Sequence, residues 1–343
     1  MEEDRVLTDS MITKYNTAAT ICGKVYNSIK HKIINEHERN ILTLSLYGNQ
    51  LIKNELDIIY KKETDKNIAF PVSISLNNCI GNYIYDYSNK DSEYNTIKET
   101  DVIKIELGVS IGGCISMLGE TFTINDNPNV SKITTFLKKL QKELVNKIKH
   151  EECADEMRIV IESRCTDNDV FPIENCKSNQ QSEGYLTGDT LKYMILNYRK
   201  YYDMDEYLIS PENINYEFEK DDIYTINLTV IPTSDIEDIT SIKYKTYEKE
   251  SHIYRFNEYT YSLKLKNSRH FYNQVKLNHG NYAFDISNYI NDTKNRIGMK
   301  ECIDNNILEL HPITYIYPSH IPVITKKFTI IVGKNESKLL KYF

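Results

Sequence analysis

The chain has 343 residues, 40% of them hydrophobic and 27% charged, with a formal net charge of −7. That length and balance suit one large domain or two ordinary ones and exclude a chain dominated by disorder. No apolar run approaches the roughly 18 residues that a membrane span needs, and the seven cysteines contain no C-x-x-C pair, so the expectation is a soluble, intracellular protein with neither a disulfide framework nor a zinc ribbon.

Residues 9–34 place Ile12, Tyr15, Ala19, Cys22, Tyr26 and Ile29 three and four apart behind Asp9 and Ser10, which predicts an amphipathic, capped helix. Helices are also expected over 41–60 and 131–150, where Leu44, Tyr47 and Leu51, then Ile133, Phe136 and Leu140, repeat that spacing. IAFPVSISLNNCIGNY between them reads as a loop. Residues 101–124, DVIKIELGVSIGGCISMLGETFTI, read as a hairpin: two alternating runs flank a Ser-Ile-Gly-Gly turn, with Glu106 in mid-strand. A carboxylate inside a half-buried strand is costly unless something pairs with it.

Beyond residue 157 the pattern favours strands, at MRIVIESR, DIYTINLTVIP, YTYSLKLK and ITKKFTIIV, with helical pieces near 189–198, 268–279 and 292–306. The order predicts an α+β fold with a mostly antiparallel sheet, because no βαβ repeat runs through it. Charge is unevenly spread. Residues 201–240 carry eleven acidic side chains against Lys220 alone, whereas residues 241–300 carry eleven Lys or Arg against five acidic. Such a run is either a solvated face or a phosphate-facing patch, and Lys and Arg interleaved with Tyr suit nucleic acid.

The blocks KYNTAATICGKVYNSI, LSLYGNQLIKNELDIIYKK, IAFPVSISLNNC, DVIKIELGV, NSRHFYNQV and RIGMKECIDNNILELHP together resemble, in order and spacing, the proliferation-associated, growth-factor-receptor-binding proteins. These are ribosome-associated, non-catalytic relatives of type II methionine aminopeptidase, and the similarity runs from about residue 8 to 332. The resemblance implies the pita-bread fold: a curved antiparallel sheet backed by helices, one domain over 1–343, with a helical insert at 268–311.

In catalytic members of that fold two divalent cations are held by two Asp, one His and two Glu, and a further His sits in the NNC loop. Carried across, the first Asp falls on Glu106, the second on Met117, the ligand His on Asn179, and the two Glu on Asn227 and Lys327, while Asn82 stands where the loop His would be. A thioether, two amides and an ammonium cannot compensate two dications. The expectation is a protein without catalysis, metal or other cofactor. Two placements of Lys327 stay open: an ammonium paired with Glu106 in a cation's place, or a side chain that reaches solvent. Cys79 and Cys114 are expected to be buried structural thiols.

The implied function is binding to the large ribosomal subunit, through rRNA and tunnel-exit proteins, by a cytoplasmic monomer with nuclear or nucleolar residence left open. Lys243, Lys245, Lys264, Lys266, Arg269, Lys276, Lys294, Arg296 and Lys300 form the candidate rRNA-binding set. The longer relatives continue into a Lys-rich tail where this sequence stops at GKNESKLLKYF, which leaves tail-dependent roles open. A cleft that holds peptides or histone tails is the alternative, and an active metalloaminopeptidase a more remote one.

Overall fold

The computed structural model describes residues 7–85, 87, 91–173, 177–181, 193–195, 217–234, 236, 238–248, 250–257 and 261–343. In chain order the elements are α1 (Asp9–Asn35), α2 (Ile41–Ile58), β1 (Lys66–Leu76), β2 (Val102–Ile111), β3 (Cys114–Thr123), α3 (Pro128–Lys147), α4 (Ala154–Thr166), β4 (Val170–Pro172), β5 (Lys177–Gln180), β6 (Tyr193–Ile195), β7 (Ile223–Pro232), β8 (Lys243–Tyr247), β9 (Ile253–Phe256), α5 (Lys266–His279), β10 (Phe284–Asp285), α6 (Thr293–Asp304), β11 (Leu308–His311), β12 (Ile313–Tyr317), β13 (Ile324–Ile331) and β14 (Lys338–Leu339).

An open antiparallel sheet runs β1-β2-β3-β13-β7-β5-β6, with β14 on β13 and β4 on β7. Helices back it. α1 starts where Thr8 accepts from the Met11 amide, and α2 and α3 start on Asn40 and Asn127, which cap in the same way. Gly48 of α2 lets helix and sheet close up, since a Cβ there would stand 2.7 Å from Ile29 and 2.9 Å from Val72. The turn of the β2–β3 hairpin is Gly112 and Gly113, both at positive φ (59° and 75°), which matches the twist of a two-residue hairpin. All ten residues of β2 are buried. The strand is therefore covered on both faces, and the burial of Glu106 is deeper than a half-buried strand implies.

Four local expectations change. Residues 66–76 are strand, not loop; β1 is the sheet edge and its register shifts between Phe70 and Ser73, which is where a strand tolerates Pro71. MRIVIESR lies in α4: Ala154, Met157, Ile161 and Cys165 are buried at helical spacing, and that packing outweighs the β-branched propensity. Residues 261–265 are not strand, because Glu301 accepts the Lys264 and Leu265 amides, at 2.8 and 3.1 Å, that a ladder would use. Residues 193–195, placed in a helix by pattern, form β6 against β5. The rest of the 189–198 segment, Tyr259 and Thr260, and the acidic stretch 201–216 lie outside the described residues.

β9, β10 and β11 form a small sheet that shares its own core with α5 and α6, built from Phe256, Phe271, Val275, Phe284, Tyr289 and Cys302. A second, smaller cluster joins this unit to the main sheet, where Ile253, Tyr282 and Ala283 meet Phe70, Ile115 and Met117. No described helix is long and apolar enough to cross a membrane.

Candidate functional site

Strand register brings five residues into one row across the sheet: Ser73 opposite Glu106, Glu106 opposite Gly119, Gly119 opposite Lys327 and Lys327 opposite Asn227. Neighbours in such a row project to the same face. Gly119 is the enabling residue, because a Cβ there would stand 2.7 Å from Lys327 Cβ and 3.5 Å from Glu106 Cγ. With no side chain between them, Lys327 Nζ reaches Glu106 Oε1 at 2.9 Å, and the two side chains are only 15% and 7% exposed. Lys327 therefore does not extend to solvent. Its ammonium lies 6.0 Å from the Phe70 ring centroid, while Gly81 lies close over the other carboxylate oxygen.

The remaining positions have become structural. Met117 is buried; its amide donates to Thr329 Oγ1 and its carbonyl accepts from Tyr342 Oη. Asn227 Oδ1 accepts from Thr229 Oγ1 at 2.9 Å. Asn82 sits at a φ of 65° and donates through Nδ2 to the Pro312 carbonyl, which ties its loop to the segment before β12. Asn179 lies on β5 opposite Thr225, and its side chain lies outside the described residues.

Two residues of this region escaped the reading of the sequence. Lys104 precedes Glu106 by two positions and so shares its face; it is fully buried and donates to the Asn77 carbonyl at 2.8 Å. Burial pushes its pKa down to about 8, against the pull of Cys79, Glu106 and Asp101. The K-I-E spacing was the available signal. His311 packs edge-on against Phe70 with its Nε2 buried and without a hydrogen-bond partner among the described residues, and burial, then Arg255 and Lys327, hold its pKa down at about 3. It is neutral at pH 7, and no motif flagged it. Cys79 and Cys114 are buried, and burial raises the Cys79 thiol to about 11; neither is poised as a nucleophile.

The cleft thus sets two ammoniums, Lys104 and Lys327, against the Glu106 carboxylate. A dication entering there would meet net repulsion. Among the described residues no group of three or more His, Cys, Asp or Glu could hold a metal ion.

The basic set divides by its surroundings. Lys243 and Lys245 are exposed on β8 opposite Tyr317 and Tyr315, and Lys245 Nζ lies 4.6 Å from the Tyr247 ring. Lys264, Lys266 and Arg269 are exposed around the start of α5, although Arg269 Nη1 also donates to the Leu263 and Lys264 carbonyls. Lys294, Arg296 and Lys300 are exposed on α6. Lys276 departs from the expected patch: its ammonium bonds Asn281 and lies 5.1 Å from the Phe256 ring, and burial lowers its pKa.

No family model matches the chain. It is 24% identical over 339 residues to ERBB-3 binding protein 1 of Arabidopsis thaliana, covering 95% of this chain and 79% of that protein. It is 25% identical over 339 residues to proliferation-associated protein A of Dictyostelium discoideum, covering 95% and 80%. A thermophilic Arx1 structure superposes with a TM-score of 0.79 at 18% identity over 98% of this chain and 91% of that one. The chain is a homologue of the proliferation-associated proteins and has the pita-bread fold. Methionine aminopeptidase from Thermotoga maritima shares that fold at a TM-score of 0.61 and 9% identity, with 99% of both chains covered. Against that enzyme class this homologue is degenerate: a Lys–Glu ion pair, an amide and a thioether stand at the described positions assigned to metal ligands.

Proposed function

We propose that this homologue of the proliferation-associated proteins is a non-catalytic factor that binds the large ribosomal subunit near the nascent-chain exit, through rRNA and exit-site proteins. The observation that carries the reading is the set of exposed Lys and Arg side chains on β8, at the start of α5 and on α6, on a chain that is acidic overall. Docking to phosphate depends on charges within about 10 Å at physiological salt, so the net charge of −7 is no obstacle. The Lys327–Glu106 pair supports the non-catalytic half of the proposal, since it takes up the carboxylate that a metal would need.

Co-sedimentation with purified large subunits across a salt series tests it. Counterion release makes affinity fall steeply as salt rises. Lys266→Glu, Lys294→Glu and Lys300→Glu together are expected to weaken binding and flatten that slope. Lys276 is left out because it is folded inward, and Arg269 because it holds the turn before α5. The control triple, Lys139→Glu, Lys142→Glu and Lys147→Glu on exposed positions of α3, is expected to do less. Equal loss in both triples, or none in the first, would refute the proposed surface.

A further inference from the structure

The face of the sheet opposite the ion pair carries a second feature. Gly119 and Lys327 look into the first cleft, so strand alternation turns Glu120 and Lys326 toward the helices. There α1, β3 and the start of α3 surround a cleft of about 380 Å³. That volume falls at the lower end of the range for small-molecule sites.

Its charges are unbalanced in a particular way. Glu120 is already engaged, because Lys326 Nζ stands 2.5 Å from its Oε1 and the two side chains are 8% and 12% exposed. Lys30 and Lys138 also line the cleft, and among the described residues neither has an ion-pair partner. Lys30 is half-buried, with its ammonium 5.0 Å from the Phe122 ring centroid. Burial, then Lys138, holds its pKa below the ordinary lysine value, with Glu120 pulling the other way. Asp126 stands at the rim and accepts weakly from Ser131 Oγ at 3.5 Å. Lys326, outside the lining, offsets Glu120, which leaves Lys30 and Lys138 against Asp126. The first turns of α3 supply Val130, Ser131 and Thr134 to the wall, and the positive end of a helix adds to the attraction for an anion.

We propose that this cleft binds a small phosphorylated molecule, with the phosphate held between Lys30 and Lys138 and the remainder against Tyr26 and Phe122. A ring-stacked, half-buried ammonium without a carboxylate gains from a phosphate oxygen more than a solvated one does. The cleft is too small for a folded partner, which favours a small molecule over a macromolecule.

The test is calorimetric titration of the full chain with inorganic phosphate and pyrophosphate at low salt, with sodium chloride at matched ionic strength as the blank. Pyrophosphate is expected to bind more tightly than phosphate, and Lys30→Met and Lys138→Met each to weaken it at least about tenfold, on the scale of one lost charge-assisted contact. Lys139→Met and Lys142→Met, on the same helix but outside the cleft wall, are expected to change it less than about twofold. Thermal melts confirm that each variant is folded. Absence of binding at about 10 mM pyrophosphate, or equal loss in all four variants, would overturn the proposal. So would an RNA oligonucleotide that binds more tightly than pyrophosphate with the same dependence on Lys30 and Lys138, since the site would then belong to nucleic acid.

Discussion

Replacing either member of the Lys327–Glu106 pair measures how far the fold depends on it. Breaking a buried ion pair by removing one partner costs about 3 to 5 kcal/mol, because a charge is left uncompensated. The exposures of 15% and 7% put this pair close to that class. The two single substitutions are not equivalent, however. Lys327→Met leaves Glu106 with Lys104 on the same strand face, so its cost is expected at about 3 kcal/mol, the lower end of that range. Glu106→Gln leaves Lys327 without a carboxylate and Lys104 with Asp101 alone, and its cost is expected at about 4 to 5 kcal/mol. The double variant removes both charges and keeps the packing, so it is expected to lose at least about 2 kcal/mol less than the sum of the singles. Urea unfolding at pH 7, followed by far-UV circular dichroism because the chain has no Trp, gives the three differences. In a thermal melt each kcal/mol is expected to move the midpoint by about 2 °C for a chain of this size. Singles that each cost under about 0.5 kcal/mol, or a double equal to their sum, would mean that the ion pair contributes no more than a surface contact.

Lys104 gives a pH signature of its own. Its pKa is depressed to about 8 from an ordinary 10.5, so between those values the Lys104 site binds more protons in the unfolded chain and by itself contributes a rise in stability with pH of about 3 kcal/mol, against the buried thiols Cys22 and Cys79, whose raised pKa values act the other way. Lys104→Met is expected to abolish that rise, and an unchanged slope from pH 8 to 10.5 would contradict the buried, protonatable amine. The purified protein is also expected to hold no stoichiometric divalent metal and to leave a Met-Ala peptide uncut; two equivalents of metal by elemental analysis, or cleavage that survives repurification, would contradict the loss of the ligand set.

Pattern alone located α1, α2, α3 and the β2–β3 hairpin, because each buries a single stripe or face whose spacing is written locally: Tyr15, Ala19, Cys22 and Tyr26 at three and four, and the alternation on either side of Gly112 and Gly113. It misplaced α4 and β1, where the deciding term is non-local. Met157, Ile161 and Cys165 are helical because a core receives them, and Pro71 is tolerated because β1 is the last strand of the described sheet and its register shifts there. For the cleft, the sequence by itself determined which residue types stand at the former ligand positions, and hence that two dications could not be held there. It left the direction of Lys327 undecided, since strand position sets the face of a side chain but not whether its path is clear. Only the tertiary structure decided that: Gly119 on a neighbouring strand leaves the path open, so the ammonium of Lys327 closes on Glu106 in the interior. The pairing of Glu120 with Lys326 on the opposite face, which leaves Lys30 and Lys138 without an ion-pair partner among the described residues, was likewise invisible until β3, β13, α1 and α3 were brought together.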